Sequence, residues 1–371
     1  MVPRIHHGMP NAAPRRQRSR KTARDHHHIV FANRHNVKCT LRSRSLNGMG
    51  SDDEGGARSG RLVYKIGPDV HPILGQVLDG RGWRSVSGDD DGSWTLNWQH
   101  NRFPKSSYMS CAPHQRLNHC QKSSGITKKD ALARQLRRMR NTFGKVYDFS
   151  PETWILPRER DQLSARFSSN EIWIVKPCAS SKGRDIFLAT SAQLTESNDL
   201  SQMACIVQRY IPNPMLVFGY KCDLRLYVLV KSFQPLKAYL YRRGLARFTT
   251  QQYSLDVDTL GNPYCHLTNS SINRFSPSMS DDKGGIGPGC KWTLARFFSN
   301  LAERGFNVPR VQRRIRHLVA LTLLSVAHEI VPNRNCFELF GFDVLLDCQA
   351  KPYYPQSLLA CSAQTGSPVG G

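Results

Sequence analysis

A chain of 371 residues is long enough for two packed lobes with a sizeable core, since domains of about 100 to 200 residues are usual; a hydrophobic fraction of 39% is low for one compact globule, so part of the chain is expected to lie outside the fold. The balance of 52 basic and 28 acidic residues, a formal net charge of +24, favours a polyanionic partner, because summed surface charge concentrates the opposite charge; nucleic acid, anionic lipid and acidic protein segments all qualify. The longest apolar stretch, Leu318 to Val331, falls short of a membrane span and contains His328 and Glu329, so it reads as a buried helix and no transmembrane segment is expected.

Residues 1–50 hold eleven Lys or Arg against the single acid Asp25, show no apolar periodicity and read as a disordered basic tail rather than an organelle transit peptide. From Ser51 to Asp91 the chain is rich in Gly, Ser and Asp, which reads as a linker, and regular structure is expected from about Trp94. The block from Arg102 to Lys145 has eleven Lys or Arg against one acid, Asp130, and carries helical spacing. Ile126 to Met139 is the helix within it, with Thr127 placed to cap, Asp130 as in a capping box, and Leu132, Leu136 and Met139 on one face.

Four short runs rich in β-branched and aromatic residues read as strands: Ile172 to Val175, Ala204 to Val207, Leu224 to Val230 and Ala238 to Tyr241. Lys291 to Arg304, bounded by Gly305, and Val311 to Ile330 read as helices, and Phe337 to Leu346 as a fifth strand. The rhythm is α/β. Eleven cysteines without a CxxC pair, and no signal peptide, point to reduced thiols in the cytosol. Cys111, His114, His119 and Cys120 fit no common zinc spacing and read as coincidence.

The strand Ile172 to Val175 runs into Lys176, Pro177, Cys178, Ala179, Ser180, Ser181, Lys182 and Gly183. A strand, a lysine and a small-residue turn with basic side chains outline a phosphate cradle, in which backbone N–H groups and ammonium charge surround the oxygens. At ordered distances follow Gln208-Arg209-Tyr210-Ile211, Lys221-Cys222-Asp223-Leu224-Arg225, Gly244-Leu245-Ala246-Arg247-Phe248, His266-Leu267-Thr268-Asn269 and Phe337-Glu338-Leu339-Phe340-Gly341-Phe342-Asp343. Each piece alone is as well explained by packing or a strand ion pair; the ordered set is not.

Together these segments resemble the tubulin tyrosine ligase-like family, most closely its glutamate-adding members, over about residues 94–347. The resemblance implies an ATP-grasp fold, two α/β lobes clamping ATP, in a catalytic domain spanning 93–347, with 1–92 as basic tail and linker and 348–371 as a divergent tail. It implies that Lys176 holds ATP phosphates with Lys182 and Gly183, that Gln208, Arg209, Tyr210 and Ile211 form the adenine hinge, and that Lys221, Cys222, Asp223, Thr268 and Asn269 complete the nucleotide site. Arg247 and Lys182 would take the carboxylate of the incoming glutamate, a job suited to a planar bidentate donor, with Ser270, Ser271 and Arg274 nearby. Asp343 would begin the Mg²⁺ site, and Lys176, Arg247 and Asp343 form the implied catalytic set.

The implied function is an ATP-dependent tubulin glutamate ligase, working through an acyl phosphate on glutamate side chains of acidic tubulin tails, in the cytoplasm at the cytoskeleton and at cilia, flagella or basal bodies. The basic helix around Lys128, Lys129, Arg134, Arg137, Arg138 and Arg140 would attract those tails. A second reading keeps the fold as a catalytically impaired microtubule-binding protein, because Gln356 and Leu358 stand where the family places the Glu and Asn that complete the Mg²⁺ set. Ser270 replaces the usual Tyr and Arg274 the usual Lys. Nucleic acid is disfavoured as partner, since the aromatic and basic interleaving of the common modules is missing.

Overall fold

The computed structural model describes residues 62–86, 92–168, 171–180, 183–197, 202–281, 283–355 and 358–360. The expected basic tail over 1–50 lies outside them, as do Ser181, Lys182 and Gln356. The fold is mixed α/β, with three sheets among the described residues.

Order begins well before Trp94. β1 (Val63–Ile66), α1 (Ile73–Asp79) and β2 (Arg84–Ser85) precede β3 (Leu96–Trp98), α2 (Lys105–Ser110) and β4 (Arg116–Leu117), and the strands form an all-parallel sheet in the order β2-β1-β3-β4. Composition suggested a linker here, yet Tyr64, Val70 and Leu78 supply enough apolar surface to close a small core with Leu96 and Trp98. The Tyr64 hydroxyl donates to Asp79 at 2.7 Å and ties α1 to the sheet.

The expected helix in the basic block is two helices, α3 (Ser124–Thr127) and α4 (Lys129–Phe143). Lys128 between them is extended (ψ 124°), and the Thr127 hydroxyl donates back to Ser124 O instead of capping α4. Leu132 and Leu136 are buried on one face as the spacing required.

A small antiparallel sheet follows, β5 (Thr153–Leu156), α5 (Arg160–Ser164), β6 (Ile172–Pro177), β7 (Phe187–Thr190), α6 (Ser191–Glu196) and β8 (Cys205–Arg209), in strand order β5-β8-β6-β7. Alternation sorts its two faces. Trp173, Val175, Cys205 and Val207 pack with Leu163 and Leu194 on one, while Ile174, Lys176 and Gln208 face the other way.

The largest sheet holds β9 (Leu216–Val217), β10 (Tyr220–Phe233), β11 (Leu236–Leu240), β12 (Leu245–Phe248), then, after α7 (Pro263–His266) and α8 (Ser270–Asn273), β13 (Lys291–Thr293), β14 (Glu338–Leu346), β15 (Pro352–Tyr353) and β16 (Leu358–Ala360). β10 is central, paired with β14 from Asp223↔Leu345 to Val230↔Glu338 and with β12 on its other edge. Gly244 lets β12 start hard against β10, since a Cβ there would stand 2.5 Å from Arg225 O.

α9 (Leu294–Glu303) and α10 (Val308–Ala327) cover the sheet, α10 through Val311, Ile315, Leu318, Val319 and Leu323 in the main core. Lys291 to Thr293, expected as helix, is extended because it pairs with β12, and α9 begins only where the Thr293 hydroxyl accepts from Arg296 N. Among the described residues no helix is long and apolar enough to cross a membrane.

Candidate functional site

Between the small and large sheets lies a cavity of about 290 Å³. Strand alternation aims its polar walls. β10 turns Lys221 and Asp223 inward and buries Cys222 and Leu224 in the core behind; β14 turns Asp343 and Leu345 inward; β6 contributes Ile174 and Lys176. The turn after β6 supplies Cys178, Ala179, Ser180 and Gly183, and the segment at α7 supplies His266, Leu267, Thr268 and Asn269. Of the sequence-predicted residues, Lys176, Gly183, Lys221, Asp223, Thr268, Asn269 and Asp343 thus converge on one cleft.

Gly183 sits at φ +84°, and a Cβ there would lie 2.6 Å from Ile272 Cδ1 and 3.0 Å from Asn269 Cγ. The turn therefore closes onto α8 only because position 183 has no side chain. Lys129 joins from the first turn of α4, its Nζ donating to Pro177 O at 2.7 Å and Ser180 O at 2.5 Å. Sequence placed Lys129 on a tail-attracting surface; the extended Lys128 is the local feature that redirects it inward.

Lys176 is buried, donating to Gln208 Oε1 at 2.7 Å and to Pro355 O at 2.6 Å. Burial, then the neighbouring charges of Lys221 and Lys129, bring its ammonium down to about 7. Lys221 is likewise brought to about 7 by burial, against the pull of Asp223. Its Nζ donates to the Tyr210 hydroxyl at 2.8 Å, and that hydroxyl lies 3.0 Å from His266 Nδ1. His266 Nε2 stands 3.0 Å from the Thr259 carbonyl, which can only accept, so Nε2 carries the proton and Nδ1 accepts from Tyr210. Burial and Lys221 lower His266 to about 4, which keeps it neutral.

Arg247 does not stand free for a ligand. Register sets it opposite Asp223, and Arg225 opposite Asp343. Arg247 Nε donates to Asp223 Oδ1 at 2.8 Å and its Nη2 to Asp223 Oδ2; Asp343 Oδ1 is 3.0 Å from Arg247 Nη2 and 3.1 Å from Arg225 Nε. The result is a buried cluster of two guanidinium and two carboxylate groups.

Other expected members fall outside the cleft wall. Gln208 supports Lys176 from behind and donates to the Thr153 hydroxyl at 2.9 Å. The Cys222 thiol belongs to the main core, pointing at Met215 O, because alternation turns it away from Lys221 and Asp223. Arg209, Tyr210 and Ile211 line a separate cavity of about 920 Å³, where Arg209 pairs with Glu171 at 2.9 Å. Ser270, Ser271 and Arg274 do not line the cleft; Arg274 lies over the Phe275 ring at 4.5 Å. Lys182 lies outside the described residues.

Magnesium does not fit the donors present. Both carboxylates of the cleft, Asp223 and Asp343, are engaged by arginines, and among the described residues no group of three His, Cys, Asp or Glu is placed to hold a metal. His119 lies 3.2 Å from Glu338, whose carboxylate also takes Cys120 N and the Ser123 hydroxyl, a buried knot joining the N-terminal unit to β14.

A sequence profile of the tubulin-tyrosine ligase family matches residues 106–354. The chain is 38% identical over 329 residues to the mouse protein named "Probable tubulin polyglutamylase TTLL2", covering 84% of this chain and 60% of that one. It is 36% identical over 309 residues to human "Tubulin polyglutamylase TTLL6", covering 79% and 33%, and 32% identical over 330 residues to "Probable alpha-tubulin polyglutamylase Ttll1" of Tetrahymena thermophila, covering 80% and 78%. It spans about 60% of the mouse relative and a third of the human one. With the profile covering most of its length, the chain belongs to the tubulin-tyrosine ligase family.

Proposed function

We propose that the cleft binds ATP within an ATP-grasp arrangement and that the chain is the core of a tubulin glutamate ligase. One observation carries this reading: Lys129, Lys176 and Lys221 are drawn into a single cavity beside a small-residue turn, with Thr268 and Asn269 opposite. Three lysines brought to one cavity repel one another, and two of them are buried at a cost in desolvation, so a polyanion is the partner that makes the arrangement favourable. Ile174 and Leu345 give the same cavity apolar walls suited to a base.

The names of the relatives support the acceptor and the added residue. The γ-phosphoryl group would pass to a side-chain carboxylate of a tubulin tail, releasing ADP; the amine of free glutamate would then attack the acyl carbon, phosphate would leave, and an isopeptide bond would form. In this chain Lys129, Lys176 and Lys221 hold the phosphates, and Tyr210 and His266 fix the direction of the Lys221 ammonium. Arg247 is held by Asp223 and Asp343 through Nε and Nη2, and would take the carboxylate of free glutamate through the remaining edge of its guanidinium. Work of this kind would be done at the cytoskeleton, on microtubules of the cytoplasm or of a cilium, flagellum or basal body.

The test is incorporation of labelled glutamate into tubulin. ATP-dependent labelling that disappears when the acidic tails are removed supports the reading; labelling of neither intact nor tail-free tubulin contradicts it.

A further inference from the structure

The sequence reading gave tail attraction to α4, but the structure neutralises much of that helix. Arg134 pairs with Asp130 at 2.9 Å, Arg137 with Glu159, and Arg140 with Asp148 at 3.4 Å, while Lys129 is turned into the cleft, away from the outer surface of the helix. α10 is different. Its twenty residues contain no acid, and Arg310, Arg313, Arg314 and His317 recur at the three- and four-residue spacing that puts them on one face. Arg310, Arg313 and His317 are exposed and Arg314 is half-buried, opposite the buried Val311, Ile315, Leu318 and Val319. Among the described residues no carboxylate pairs with any of the four.

This stripe works against its own helix. Like charges three and four residues apart cost a few tenths of a kcal/mol per pair, roughly 0.2–0.5. Arg310 stands in the first turn, where the helix dipole disfavours a cation. We infer that the first three turns of α10 are a docking surface for an acidic polypeptide segment, separate from the cleft, to which α10 contributes no side chain. Neighbouring side chains on the stripe are about 5–6 Å apart, close to the roughly 6.6–6.8 Å between alternate residues of an extended chain. Successive same-side glutamates of a flexible acidic segment can therefore each meet a guanidinium. No exposed large hydrophobic or aromatic side chain lies on this part of α10, so it has neither the apolar wedge of a membrane-surface helix nor the stacking platform of a single-strand binder.

The surface adds a partner contact to the ligase reading and is testable apart from it. Binding of a short poly-L-glutamate peptide to the full chain is measured at low salt for the wild type, for Arg313→Gln, and for Arg310→Gln/Arg313→Gln/Arg314→Gln. ATP affinity is followed in parallel. The expected result is a stepwise weakening, about tenfold for the triple variant from the modest worth of exposed pairs, with ATP affinity unchanged and a melting temperature no lower than wild type. Unchanged peptide affinity overturns the inference, as does tighter binding of single-stranded RNA or anionic vesicles than of the peptide. Loss of ATP binding by the wild type sinks the ligase reading alone.

Discussion

Two buried lysines dominate the site at the residue scale. Lys176 and Lys221 lie near 7 in the folded protein against about 10.4 when unfolded. A folded value below the unfolded one means that the unfolded chain binds the extra proton between those limits, so stability from each lysine rises with pH across that window and is lowest where both states are charged. Lys176→Met is expected to melt higher than wild type near pH 7, with the gap narrowing toward pH 9, and to abolish ATP binding. Thermal melts across pH check the first part; a gap that grows with pH contradicts it. Arg247→Ala leaves Asp223 and Asp343 short of a buried partner and should destabilise by about 3–5 kcal/mol, read from denaturant midpoints; a change below 1 kcal/mol on the same scale would mean the cluster is solvated. Lys176, Lys221, Asp223, Thr268, Asn269 and Asp343 were legible as one group because the ordered motifs that contain them resemble those of a single family. The Arg247 pairing was not, because it depends on which strand lies beside β10 and in what register, and no local pattern states that.

At the scale of elements, the turn between β6 and β7 and its contact with α8 decide whether the cleft closes. Gly183→Ala puts a Cβ at φ +84° within 2.6 Å of Ile272 Cδ1, which costs about 1–2 kcal/mol in backbone alone. The expected outcome is ATP affinity at least tenfold weaker with a melting temperature lowered by only a few degrees, by calorimetry and thermal melts; wild-type affinity would mean that the turn does not need α8. The strands were readable from β-branched and aromatic runs, and β10 proved longer than its apolar centre because pairing with β9, β12 and β14 holds the cleft-facing polar residues Lys221 and Asp223 in the sheet. The N-terminal sheet was missed because glycine and aspartate between its short strands masked the apolar residues that close it. The Lys128 break was missed because α3 and α4 share one helical pattern, and only tertiary contact sets the kink.

For the whole molecule, two α/β layers are joined so that cations from α4, the small sheet and the large sheet meet in one space, while Gln356 and Leu358 stand at the positions where the family resemblance implies a Glu and an Asn. Gln356 and Leu358 are the positions to repair. Gln356→Glu/Leu358→Asn is expected to raise glutamate transfer to tubulin in a magnesium-dependent manner, measured against Asp343→Asn in the same background; equal activity in both would show that the acids near β14 do not matter to catalysis. The two-lobed α/β plan was legible in the order of the motifs, whereas the position of the unpaired basic face on α10 required knowing which arginines find carboxylates in the folded chain.

The central claim is that the three-lysine cleft is a polyanion site for ATP. Titration calorimetry of ATP into the full chain near pH 7.5, repeated in buffers of different ionisation enthalpy, tests it most directly. Bound phosphates should raise Lys176 and Lys221 and so draw protons onto the protein, giving saturable binding with net proton uptake that Lys176→Met removes. Absence of binding, or binding that Lys176→Met leaves intact, would contradict it.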